Sequence, residues 1–172
     1  MRILPVLCLA LLVTTAARAD EAQDEASIRQ LYKQADAALA QRDVNGMLAM
    51  VAPDFVSVDE AGRTEDLATM RSNLVEILGE LSGATARTDI VLLVVKGDRA
   101  WVTAKGVATL TYAALPGHPA MPAIGITQID VDDWTRTAQG WQLTRDDVVM
   151  QRSQREAIGP AGPPKPEAAA AQ

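Results

Sequence analysis

The side chains able to do chemistry in this sequence are carboxylates, a tyrosine and an arginine. Asp59 follows the short β-type run Phe55–Val58, and Asp130, Asp132 and Asp133 lie in a later β-branched stretch. Carboxyl groups on the inner face of a sheet can move protons or hydrogen-bond a ligand, provided their surroundings tune them. Other chemistries lack their residues. His118 is the only histidine and stands in a Pro-rich segment, and Cys8 is the only cysteine. A Cys–His pair and a zinc cluster are therefore excluded, and no metal or cofactor is expected. There is no G-x-S-x-G motif and no phosphate-cradling Gly-rich loop. Asp130–Asp133 is acidic, but it lacks the glycine and the twelfth-position glutamate of a calcium loop.

The elements that must position these groups follow from periodicity. Ile28, Leu31, Tyr32, Ala35 and Leu39 form one helical stripe, which predicts a first helix from about Asp24 to Gln41. Asp43 caps a short second helix that Pro53 stops, and Phe55–Val58 is a strand. Thr64 caps a third helix with Leu67, Met70, Leu74, Ile77, Leu78 and Leu81 on its apolar face, and Gly83 ends it. Strands then follow at 85–95, 99–112, 124–137 and 141–151, with turns at Lys96–Asp98 and Ala138–Gly140 and a loop at 113–123. Helices first and strands after give an α+β class, with the helices on one concave face of the sheet.

A two-residue turn at Ala138–Gln139 sets the register of the last hairpin. It pairs Arg136 with Trp141, Trp134 with Leu143, Asp132 with Arg145 and Asp130 with Asp147. All of these would share the inner face, with Asp132 and Arg145 as a cross-strand ion pair. That pair is either a self-satisfied structural bridge or the polar end of a ligand cavity. Ala100, Val102, Ala104, Gly106, Ala108 and Leu110 share one face of the preceding strand. Such small residues leave room for a close-packed helix or for a ligand. Trp101, Val107, Ile129 and Val131 fall on the opposite face, which is too apolar to stand bare, so a second copy is expected to cover it.

The N-terminus reads as an export signal. Met1–Arg2 is followed by the apolar run Ile3–Val13 and by Ala17-Arg18-Ala19, an A-x-A cleavage pattern. A run of 11 residues is too short for a bilayer span, which needs about 20 residues. The expected organisation is a signal peptide at 1–19, one domain at 20–156 and a disordered Pro/Ala-rich tail at 157–172, in a periplasmic or secreted protein. Cleavage would remove the only cysteine, Arg2 and Arg18. It would leave 14 basic against 22 acidic residues, a net charge of −8. That balance excludes the basic footprint of nucleic-acid binders and disfavours anionic lipid surfaces.

From about Asp24 to Gln151 the chain resembles the nuclear-transport-factor-2-like superfamily, and within it the SnoaL-like and ketosteroid-isomerase-like members. The resemblance is carried by Ile28–Tyr32, Arg42–Met47, Ala52–Val58, Asp133–Trp134 and Gly140–Leu143. It implies a cone-shaped domain, often dimeric, whose curved antiparallel sheet wraps the long helix around a pocket. The isomerases of this superfamily use an aspartate base at the end of the first strand. A helix-one tyrosine and a protonated late-strand aspartate hold the developing oxyanion. By that likeness Asp59 stands at the base position and Asp132 near the late acid. The tyrosine position falls on Ala35, with Tyr32 one turn before it.

The expected function is binding of a small, partly apolar ligand in the cone, lined by Tyr32, Phe55, Asp132, Trp134 and Arg145 together with Asp59. An isomerase or cyclase-like lyase using Asp59 as general base is the alternative. A protein-interaction module with a filled pocket is the third reading.

Overall fold

A computed structural model describes residues 7–118 and 121–155, with side chains from Asp20 onward. The expected tail at 157–172 lies outside the described residues. Three helices pack on a single six-stranded sheet: α1 (Leu7–Gln41), α2 (Val44–Leu48), β1 (Val51–Val58), β2 (Thr64–Asp66), α3 (Leu67–Gly79), β3 (Leu81–Lys96), β4 (Arg99–Tyr112), β5 (Ile124–Thr137) and β6 (Gly140–Arg155). The sheet order is β2-β1-β6-β5-β4-β3. All pairs are antiparallel except β1–β6, which is parallel, so the sheet is mostly and not wholly antiparallel.

Several boundaries differ from the sequence expectation for identifiable reasons. α1 already runs through Leu7, the first described residue, because the Ala-rich stretch before Asp24 is itself a good helix former. Thr64 does not cap α3; it belongs to β2, and Asp66 is the cap, accepting from the Thr69 N–H at 2.8 Å. The helix ends at Gly79, leaving Gly83 inside β3. Pro53 lies within β1, in the interval between Val51 and Val56 where pairing with β6 is interrupted. Its missing N–H therefore removes no ladder bond.

Alternation decides the core. Ala100, Val102 and Ala104 of β4, Trp134 of β5, Trp141 and Leu143 of β6, and Phe55 of β1 all point inward and are buried. Ile28 and Tyr32 of α1 pack onto them, and Leu67, Met70 and Leu74 of α3 close over the same cluster. The small side chains of β4 thus share one buried cluster with Ile28 and Tyr32 of α1 and with the rings of Phe55, Trp134 and Trp141. Asp36 of α1 anchors the helix to β3 by accepting from the Thr88 N–H and hydroxyl, each at 2.8 Å.

The sheet's other face carries Trp101, Val107, Val131, Val91 and Val149, all substantially exposed. Among the described residues no helix is long and apolar enough to cross a membrane.

Candidate functional site

The last hairpin begins as expected. Thr137 faces Gly140, Arg136 faces Trp141 and Trp134 faces Leu143. One residue later the register shifts. Asp133, not Asp132, pairs with Arg145, leaving Thr144 as the extra residue of a β-bulge. The Thr144 hydroxyl donates to the Asp133 carbonyl at 3.0 Å and fastens the bulge. A one-residue slip sends every following side chain to the other face. The expected Asp132–Arg145 ion pair is therefore absent. Arg145 points out of the cone, where it forms a bidentate pair with Asp147 at 2.8 and 2.6 Å. Expected as a ligand-lining residue, it is instead an exposed group of the outer face. The expected Asp130–Asp147 pair fails for the same reason, since Val131 faces Asp147.

What faces Asp132 is Asp146. Asp132 is 4% exposed, and its carboxyl accepts from the Tyr32 hydroxyl. Tyr32 in turn accepts from the Trp134 indole N–H at 3.2 Å, and its ring lies tilted against that of Trp134, with centroids 5.4 Å apart. Asp146 accepts from the Ser57 hydroxyl at 3.3 Å, because parallel pairing with β1 sets Ser57 beside it. Asp130 follows on the same face of β5 and accepts from Gln128 at 2.7 Å.

Three carboxyls thus converge, and the groups that interact with them are neutral or like-charged. Burial pushes Asp132 well above the usual carboxylate range, and the neighbouring charge of Asp146 pushes it further. The Oδ1 of Asp146 is buried and has no hydrogen-bond partner among the described residues. Burial also lifts Asp146 to about 6. Asp130 rises to about 7, first through burial and then through the charge of Asp146. The Tyr32 hydroxyl, buried beside these groups, is raised and stays protonated. The result is a hydrogen-bonded chain, Trp134 to Tyr32 to Asp132, that ends facing Asp146, with burial and like charge favouring the protonated form of the carboxyls.

Tyr32→Phe removes the donor to Asp132 and the acceptor for Trp134. The expected loss of stability is about 1–3 kcal/mol, read from urea unfolding at fixed pH.

Of the residues expected at the site, Tyr32, Asp132 and Trp134 are brought together. Phe55 is 2% exposed and belongs to the packed wall beneath them. Asp59 is not brought to the cluster. It sits in the turn after β1, where its carboxyl accepts from the N–H groups of Ala61 (2.9 Å) and Arg63 (2.8 Å) and from the Arg63 side chain. Those bonds, the Arg63 N–H foremost, hold it below the usual carboxylate range. Asp146 was not expected as a site residue. Its signal lies in the run Arg145-Asp146-Asp147. Strict alternation after Leu143 would bury two charges of that run, whereas a bulge buries one carboxyl that can take a proton.

The sequence profile of the SnoaL-like domain matches residues 28–150. The chain belongs to the SnoaL-like domain family. It thereby falls in the nuclear-transport-factor-2-like superfamily, whose cone fold the structure displays. No curated protein matches the sequence. Solved structures with this SnoaL-like fold include the hexachlorocyclohexane dehydrochlorinase LinA-type3 from Novosphingobium barchaimii LL02. It is 14% identical, covers 86% of this chain and 99% of its own, and has a TM-score of 0.65. Kfla4162 from Kribbella flavida is 18% identical over 77% of this chain and 95% of its own, with a TM-score of 0.65. A conserved protein from Planctomyces limnophilus DSM 3776 is 16% identical over 73% and 94%, at 0.64. At these identities the likeness is one of fold.

Proposed function

We propose that this SnoaL-like domain is an exported protein that binds a small, partly apolar molecule at the carboxyl end of its cone. The observation that carries this reading is the facing of Asp132 by Asp146 on the inner surface, with Asp130 beside them. A protonated carboxyl donates and an ionised one accepts, so a ligand hydroxyl, carbonyl or amine meets a partner of either kind. The α3 side chains Leu67, Met70 and Leu74 supply an apolar wall. The Met1–Ala19 pattern supports a periplasmic or secreted location. The exposed Trp101, Val107 and Val131 support a homodimer through the back of the sheet.

A second reading, acid–base catalysis in the same place, is favoured by carboxyls poised at about 6 and about 7. Groups that titrate near the operating pH are the effective proton carriers. In that case Asp146 is the better candidate for the base than Asp59, which is held charged in an exposed turn.

Melting-temperature screening against a metabolite library tests both readings. A hit is expected to shift wild type and Asp59→Asn alike and to lose its shift in Asp146→Asn. A hit that survives Asp146→Asn and fails in Asp59→Asn would move the site to the end of β1. Turnover of the hit by wild type, lost in Asp146→Asn, separates the enzyme from the binding domain.

A further inference from the structure

A surface concavity lies away from the carboxyl cluster. Trp134, fully buried, stands between them. It is a surface cleft of about 740 Å³ between α1 and the tip of the β5–β6 hairpin. Asp132 lies four residues from Arg136 along β5, or roughly 13 Å at strand rise.

One wall of the cleft is a helical stripe of neutral hydrogen-bonding side chains. Gln23, Ser27, Gln30 and Gln34 follow at spacings of four, three and four residues, so they fall on one side of α1. The opposite wall is the turn around Gln139. The floor is fixed. The Asp24 carboxyl is ion-paired with Arg136 and accepts from the Trp141 indole N–H at 3.3 Å. The Arg136 guanidinium lies over the Trp141 ring, 4.9 Å from its centroid.

Two features define what fits. Among the described residues the charged ones lining the cleft are Asp24 and Arg136, which neutralise each other, so their pairing offers no net charge to an ion. Its side-chain amides are each donor and acceptor, matching ligand groups that are also both, namely hydroxyls. A peptide would pair with a free strand edge, but β5 and β6 pair with each other up to Thr137 and Gly140.

We propose that this cleft is a binding site for a neutral, hydroxyl-rich molecule of the saccharide class, independent of the ligand seat in the cone. Its volume lies within the range of small-molecule sites, roughly 300–1,000 Å³.

The test is a nitrogen-15 NMR titration of the protein with maltotriose, cellotriose and triacetylchitotriose. The side-chain amide signals of Gln23, Gln30, Gln34 and Gln139 are expected to move with at least one sugar, with Kd on the order of 1 mM. Gln30→Ala/Gln34→Ala, exposed changes that leave the core intact, should weaken that sugar about tenfold. The amide spectrum of the double variant confirms that it is folded. Absence of shifts with all three sugars overturns the proposal. So do shifts that persist in the double variant, and so does preference for a charged sugar such as trigalacturonate. The signals of Asp130, Asp132 and Asp146 should stay in place throughout, which separates this site from the cone.

Discussion

Stability of this domain is expected to fall, not rise, as pH is raised from about 4 to 8. The sign follows from the cluster. Asp130 and Asp146 have folded pKa values of about 7 and about 6, and Asp132 is raised with them, against an unfolded value of 3.8. Between the unfolded and folded values the native state holds more protons than the unfolded chain, so stability is lost with rising pH. For Asp146 and Asp130 it is complete below the unfolded value and is lost as pH rises through about 6 and about 7, and the upward shift of Asp132 acts in the same direction. Asp59 and Asp66 are shifted downward, and their contribution is lost only as pH falls below the ordinary carboxylate range. The window from 4 to 7 therefore belongs to the buried cluster. One pKa unit corresponds to about 1.4 kcal/mol. Mutual coupling and the partial exposure of Asp130 bring the total to about 2–4 kcal/mol. Asp130→Asn removes one of the repelling carboxyls. It should flatten the profile and make the protein more stable than wild type at pH 8 by about 1–2 kcal/mol. Urea midpoints across pH measure this. A profile that climbs from pH 4 to 8 would mean that the carboxyls are paired with cations after all.

Trp134→Ala is expected to cost about 3–5 kcal/mol, enough to leave a domain of ordinary stability marginal. Trp134 has no exposed surface, packs against Tyr32 and donates to its hydroxyl. No neighbour can collapse into the gap without moving α1, because the β4 side chains opposite are Ala100, Val102 and Ala104. Trp101→Ala is the matched contrast. Trp101 is 43% exposed on the back of the sheet. Its loss should change the melting temperature of the monomer little and weaken self-association. Thermal unfolding together with light scattering reads both. A Trp134→Ala loss below about 1 kcal/mol would show that the cone is not sealed at this point.

The difference between these two tryptophans was legible in the sequence, because strand alternation alone places them on opposite faces. The bounds of β4 and β5, and the pairing of Trp134 with Leu143 and Arg136 with Trp141, came from the same rule and from the two-residue turn. The rule stopped working at Thr144. A bulge leaves no mark in hydrophobic period when the residues beyond it are Arg145, Asp146 and Asp147, all charged. The consequence was chemical as well as geometric. With Arg145 inside, Asp132 would be held ionised, whereas with Asp146 inside it is held neutral. Tyr32 shows the reverse case. The family likeness put the tyrosine position at Ala35, yet it is Tyr32 whose hydroxyl reaches Asp132.

A carboxyl end that carries a proton near neutral pH underlies both the ligand seat and the pH profile. The most direct measurement is a carbon-13 NMR titration of the aspartate side-chain carboxyls from pH 3 to 9. Asp130 and Asp146 are expected to titrate at about 7 and about 6, with Asp132 also displaced upward. Ordinary titration of all three near 4 would contradict it, along with the ligand seat and the acid–base chemistry built on it.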